Sequence, residues 1–224
     1  MLNLLFPNIC SGCEQPLLSS ENLICTSCRH QLPVIPQHNF TNSKMRSLFY
    51  GRIPLDITTS LMRFEKKGIT QRLMHQLKYK GQQELGTLFG EWLGSEMAIN
   101  DQCRSIDMVI PVPLHKNRLR KRGYNQVEGF GKAIAYKLNI PYRDDLLLKK
   151  AKTHSQVFKQ RFKRFLSIND GDGVFILDKP ENMINGHILL VDDIVTTGAT
   201  LENCALELLK VNGIRISFAT IAIA

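Results

Sequence analysis

His187 to Leu201 reads HILLVDDIVTTGATL, and the fold follows from how that stretch divides. The apolar run Ile188-Leu189-Leu190-Val191, with Gly186 before it and acids after it, predicts a strand buried on both faces, as in a parallel sheet. The strand is expected to end at two adjacent carboxylates, Asp192 and Asp193. A loop of small residues follows, Thr196-Thr197-Gly198-Ala199-Thr200. Leu201, Cys204, Ala205, Leu208 and Leu209 then recur at helical spacing. Strand, loop and helix in that order make one unit of an α/β sheet.

That geometry also makes an anion site. A helix opening straight off a strand presents backbone N–H groups and the positive end of its dipole. Gly198 allows close approach of the backbone, and the threonine hydroxyls can donate. Thr196, Thr197, Gly198, Ala199 and Thr200 are therefore the candidate cradle of a phosphate. Asp192 and Asp193, one loop-length upstream, can accept hydrogen bonds from two neighbouring hydroxyls, such as those of a ribose. Phosphate, ribose and a divalent ion together point to a 5-phosphoribosyl group. The competing reading is a plain strand–helix junction, but packing gives no reason for paired acids beside a Thr/Gly loop.

Working outward, Asp107-Met-Val-Ile-Pro-Val-Pro113 predicts a second buried strand. It leaves into a basic loop holding Lys116, Arg118, Arg120, Lys121 and Arg122. Such a run is often only a solvated face. Here it leaves the carboxyl end of a strand, where ligands bind in α/β sheets, so Lys116, Arg118 and Arg122 are read as pyrophosphate-binding candidates. Gly123 permits a turn into a helix over 125–138. Helices are also expected over 69–79, burying Leu73, Met74 and Leu77, and over 84–97, burying Leu85, Leu88, Phe89, Trp92 and Leu93. The first runs into Lys78-Tyr79-Lys80-Gly81, where Lys78 and Lys80 are further candidates for an anion. Short strands are expected at 60–64, 146–148, 171–178 and 216–224. Residues 33–58 read as a linker wrapping the main domain, and Cys103 and Cys204 as ordinary semi-buried residues. The stretch 149–164, KKAKTHSQVFKQRFKR, is basic and lacks a continuous apolar face; it reads as an arm that orders on an anionic ligand, or as a surface helix.

Cys10-Ser-Gly-Cys13 and Cys25-Thr-Ser-Cys28 are two CxxC pairs eleven residues apart. Each resembles a knuckle in which a tight turn aims two thiolates at one ion. Four thiolates make a closed tetrahedral site for structural zinc, with no open position for chemistry. A redox-active pair and a site that has lost its metal are the alternatives. So short a segment cannot bury enough apolar area on its own, which favours a metal staple. The expected division is 1–35 as the four-cysteine element and 36–224 as the main domain.

With 224 residues and 43% hydrophobic content the chain can bury a sizeable core. It has no apolar run of membrane-spanning length, roughly 20 residues, and its opening residues lack the basic start of a signal peptide. A cytoplasmic protein is expected. The net charge of +9 is local: residues 107–165 hold 15 Lys/Arg against 4 Asp/Glu, and the rest of the chain is slightly acidic. Such a block suits a polyanion, pyrophosphate or nucleic acid. A single DNA strand tracking it could stack bases on Tyr124, Phe158 or Phe162.

These features together resemble the ComF family: a four-cysteine zinc element joined to a type I phosphoribosyltransferase domain, tied to natural competence and DNA uptake in bacteria. The resemblance rests on Cys10, Cys13, Cys25 and Cys28, on LKYKG at 77–81, on VIPVPLHKNRLRKRGYNQ at 109–126, and on Thr153, Gln156, Arg161 and Arg164. It rests above all on ILLVDDIVTTGAT, which is close to the 5-phosphoribosyl-1-pyrophosphate (PRPP) motif of type I phosphoribosyltransferases. Tyr124 stands where the family often has Phe. The resemblance implies a parallel sheet flanked by helices, with Thr196 to Thr200 on the 5′-phosphate, Asp192 and Asp193 on the ribose hydroxyls as catalytic residues, and the basic residues on the pyrophosphate. It implies Mg²⁺ entering with PRPP and a flexible loop carrying Thr153, Gln156, Arg161 and Arg164. Competence proteins and single-stranded DNA are the implied partners. No residue set that would read a purine or pyrimidine stands out, and no general base. Three readings stay open: a DNA-handling competence factor that binds PRPP, an active transferase with an unidentified acceptor, and a nucleotide-sensing regulator.

Overall fold

The computed structural model describes residues 8–36, 40, 42–150, 174–178, 180–183 and 185–224. In chain order the elements are α1 (Thr26–His30), α2 (Ser43–Phe49), β1 (Thr58–Arg63), α3 (Ile69–Tyr79), α4 (Glu84–Ala98), β2 (Met108–Pro111), α5 (Lys116–Arg122), α6 (Glu128–Leu138), β3 (Leu147–Lys150), β4 (Val174–Leu177), β5 (His187–Val195), α7 (Ala199–Leu208) and β6 (Arg215–Ile223). Strands β1, β6, β5 and β2 lie side by side in that order, all parallel. Tyr142 adds a parallel bridge beside Val109 at one edge, and Val34 an antiparallel bridge beside Met62 at the other. β3 and β4 form a separate antiparallel pair.

The central strands are apolar on both faces because both faces are covered. Leu189 and Val191 of β5 join Leu73, Leu77, Phe89, Phe130 and Ile134 from α3, α4 and α6. Ile188 and Leu190 point the other way, to Leu201, Cys204, Ala205 and Leu208 of α7 and to Phe49 of α2. Each such leucine or phenylalanine removed from water contributes about 1.5–3 kcal/mol. The expected parallel sheet flanked by helices is thus the fold. No helix among the described residues is long and apolar enough to cross a membrane.

The pairing of α4 with α6 is unusually close. Gly86, Gly90 and Gly94 form one stripe of α4, four residues apart. A Cβ at position 90 would sit 2.4 Å from the Phe130 carbonyl oxygen, inside any allowed contact. The buried face of α4 thus holds Leu85, Gly86, Phe89, Gly90, Leu93 and Gly94, and Leu88 and Trp92, expected within it, are only half-buried at its edge.

Four expectations need correction. The linker 33–58 contains α2, capped by Asn42, whose side chain accepts from the Met45 N–H at 2.9 Å. The basic loop is helical over Lys116–Arg122, since the His115 ring accepts the Asn117 N–H and relieves its first turn. β5 does not stop at its carboxylates but runs on to Val195, because β6 keeps pairing with it as far as Ile223. Cys103 and Cys204 are fully buried rather than half-buried.

The cysteine segment shares the core of the main body. Cys10, Ile24, Cys28 and Leu32 belong to the apolar cluster of α3 and α4. The Ile35 N–H donates to Leu61 O and the Arg63 N–H to Pro33 O, both at 2.9 Å, and the Arg29 guanidinium lies 4.9 Å over the Trp92 ring.

Candidate functional site

The site is made by unequal strand lengths. β2 pairs with β5 only as far as Pro111 beside Val191, whereas β6 pairs with it through Val195. Asp192 and Asp193 therefore have a strand on one side and an opening on the other. The opening is a cleft of about 630 Å³ lined by Lys78, Tyr79, Gly81, Val112 to Leu114, Arg118, Lys121, Arg122, Tyr124, Gln126, Lys149, Asp192 to Ile194 and Thr200. Five of these residues are cationic and two anionic, so the cleft suits a ligand carrying more than one negative charge.

Adjacent strand residues point to opposite faces, and the two carboxylates differ accordingly. Asp193 turns toward α3 and α6. Its Oδ2 accepts from Lys78 Nζ and from Gln126 Nε2, each at 2.8 Å, and its Oδ1 accepts the Ile194 N–H at 2.6 Å. Asp192 turns toward α7 and β3, and its Oδ1 accepts the Asp193 N–H at 2.8 Å. Burial, and then the charge of Asp193, push the Asp192 carboxyl up to about 8. Without a ligand it therefore holds its proton near neutral pH.

The sign of that shift gives a stability prediction. A carboxyl raised in the fold contributes stability fully present below its unfolded value of 3.8 and lost as pH rises through about 8. Asp192→Asn cannot ionise, so the variant should gain several kcal/mol on the parent as pH climbs from 4 to 9. Urea unfolding at both ends of that range measures it; parallel pH curves for the two proteins would count against a buried, protonated Asp192.

The expected phosphate cradle sits at the start of α7. Gly198 is the residue before the helix, with φ of +80°, and it is buried. Thr196 and Thr197 are exposed, Thr197 Oγ1 accepts the Ala199 N–H at 3.4 Å, and Thr200 lines the cleft. Beneath Gly198 lies the ring of Phe49. Of the pyrophosphate candidates, Arg118 and Arg122 line the cleft and Lys78 does so while paired to Asp193; Lys80 and Lys116 are exposed and are not among the lining residues. Thr153, Gln156, Arg161 and Arg164, with Phe158 and Phe162, lie outside the described residues. Tyr124 cannot stack a base: it is buried, and its hydroxyl donates to the Leu77 carbonyl.

Two residues escaped sequence reading. Gln126 is buried and joins the parts, donating to Asp193 and accepting from Arg122. Lys149, expected to open the basic arm 149–164, instead belongs to β3 with Lys150 and lines the cleft. Neither carries a local pattern that separates it from an ordinary surface residue.

The sulfurs of Cys10, Cys13, Cys25 and Cys28 all lie within 4.8 Å of one another. The Sγ atoms of Cys13 and Cys25 are 3.7 Å apart, about the edge of a tetrahedron with Zn–S near 2.3 Å. Burial pushes the Cys10 thiol up, but the backbone N–H groups of Cys25, Cys13 and Gly12 aimed at its sulfur outweigh that and hold it at about 7. Burial and the neighbouring sulfurs push Cys28 up. Four sulfurs so close cannot all be thiolates without a cation among them, so the donor set fits one zinc ion.

Residues 128–223 match the family model of the phosphoribosyl transferase domain. That match takes in Asp192, Asp193 and the loop after them; α5 and the cysteine cluster lie ahead of it. Over most of its length the chain is similar to curated proteins that include the following three. It is 26% identical over 219 residues to Competence protein F of Haemophilus influenzae, covering 90% of this chain and 84% of that one. It is 26% identical over 216 residues to the DNA utilization protein YhgH of Salmonella typhimurium, covering 91% and 92%. It is 26% identical over 209 residues to Competence protein ComFC of Bacillus subtilis, covering 87% and 81%.

Proposed function

We propose that this chain, a homologue of the Competence protein F, ComFC and YhgH proteins with a phosphoribosyl transferase domain, binds PRPP in its cleft and serves bacterial DNA uptake by handling single-stranded DNA. One observation carries the reading: paired carboxylates project past the end of β2 into a cleft that also holds Lys78, Arg118, Lys121, Arg122 and the start of α7. Thr196 to Thr200 would take the 5′-phosphate, Asp192 and Asp193 the ribose hydroxyls, and Arg118 and Arg122 the pyrophosphate. Lys78 then exchanges Asp193 for the ligand's phosphate, which frees that carboxylate to accept hydroxyls. Gln126 keeps Asp193 and Arg122 aligned throughout. Mg²⁺ brought in with PRPP supplies charge neutralisation at the pyrophosphate. Zinc at the four cysteines is structural.

Calorimetry with PRPP·Mg²⁺ tests the reading. The parent should bind, and Asp193→Asn should weaken binding at least tenfold, about 1.4 kcal/mol, because a charged acceptor becomes half a donor. Equal affinity in both proteins would leave the junction as structure only. Release of pyrophosphate from PRPP with time would instead mark an active transferase.

A further inference from the structure

We propose that Tyr79 and Arg122 form a stacking clamp for a nucleobase whose phosphate is held by Lys121, the cleft cation of α5 that the pyrophosphate does not use. The inference rests on the sugar-phosphate reading of the cleft and names the part of a ligand which that reading left without partners.

Tyr79 is the last residue of α3, and its side chain is 65% exposed. An exposed large aromatic at a cleft wall has no packing rationale. Among the described residues that line the cleft, the other aromatic is Tyr124, and that ring is buried. The Arg122 guanidinium lies 5.4 Å over the Tyr79 ring, and the His75 ring, one helical turn back, leans against it at 5.2 Å. The tyrosine is thus held at a fixed tilt with a planar cation beside it. A base has a π-face that suits both partners, a phenol ring and a guanidinium plane. Position supports the same ligand. Lys78, the preceding residue, contacts Asp193, so one backbone step separates the proposed ribose end of the cleft from the ring. Arg118, Lys121 and Arg122 share one face of α5 at helical spacing, which sets a cation for phosphate next to a plane for a base.

The clamp reads the flat face of any base and no hydrogen-bonding edge, so it should be indifferent to sequence. Its ligand is a base-bearing nucleotide, either free or within a single DNA strand. The test uses the full-length protein and four probes: oligo-dT, an abasic oligonucleotide of the same length, thymidine 5′-phosphate, and PRPP·Mg²⁺. The parent should bind oligo-dT more tightly than the abasic strand. Tyr79→Ala should weaken oligo-dT about tenfold and leave the abasic strand unchanged, while Tyr79→Phe keeps the preference. Arg122→Lys, which keeps the charge and loses the plane, should also narrow the gap between the two strands. A Tyr79-dependent affinity for thymidine 5′-phosphate assigns the clamp to a single nucleotide; dependence with oligo-dT alone assigns it to a strand. Equal binding of base-bearing and abasic strands by the parent, or an unchanged preference in Tyr79→Ala, overturns the clamp. Failure of the parent to bind PRPP while the Tyr79 dependence persists overturns the sugar-phosphate reading instead.

Discussion

Replacing Gly198 with valine should abolish measurable PRPP binding and lower the stability of the fold by about 2–5 kcal/mol. Two independent costs add. The residue has φ of +80°, where a Cβ costs roughly 1–2 kcal/mol and a β-branched side chain more. The new Cβ would also lie 2.6 Å from Phe49 Cζ and 2.7 Å from Cε1. That ring cannot step aside, since it is buried and packed edge-on against Phe218 with centroids 4.9 Å apart. Overpacking of this kind costs about 1–3 kcal/mol. Relief of the clash pushes the loop off α7 and misplaces the backbone on which a phosphate would sit. The loss caused by Gly198→Ala should be smaller in a Phe49→Ala background than in the parent, because only the backbone part remains there, and thermal melts of the four proteins can separate the two parts. A valine variant that melts and binds like the parent would refute both the loop geometry and its proposed ligand.

Cys28→Ser should cost the protein its zinc and about 4 kcal/mol or more of stability. The freshly purified, reduced parent is expected to carry about one zinc per chain, and the variant none. Loss of one thiolate opens a closed tetrahedral site. The damage spreads because the cysteine segment has no core of its own: Cys10, Ile24, Cys28 and Leu32 pack into the cluster of Leu73, Leu77 and Phe89. At this chain length each kcal/mol moves the melting point about 2–4 °C, so a fall on the order of 10 °C is expected. Cys13→Ser is the useful partner, because that sulfur lies at the surface. An equal fall in both variants assigns the effect to the metal, and a fall in Cys28→Ser alone assigns it to packing. Metal-free parent protein would sink the zinc assignment.

Some of this was legible in the sequence, and the physics says which part. A buried parallel strand must be apolar at every position, so Ile188 to Val191 announced itself. The helix over 69–79 was equally plain, because Ile69, Leu73, Met74 and Leu77 mark one face and Gly68 and Gly81 bracket it. Paired CxxC spacing carries its own chemistry, and the four sulfurs do converge. What the sequence hid was partnership across distance. No local pattern tells that Phe49, in a stretch read as linker, fills the space under Gly198. Nor does any tell that Lys78, read as an anion binder, already holds a carboxylate. Tyr124 read as an aromatic among cations and therefore as a stacking face; its burial is decided by α3, whose Leu77 carbonyl takes the hydroxyl. The length of β5 was missed for the same reason, since how far a strand runs depends on the neighbour that pairs with it.

The glycine stripe of α4 makes a mechanical linkage of two helices. With backbone seated against backbone at Gly90 and Phe130, the pair has little compressible space at that crossing and shifts as one lever. Gln126, just ahead of α6, lies at the end of that lever and grips Asp193. A methyl group added at Gly90, which does not line the cleft, would therefore tilt the lever and be felt at the carboxylate.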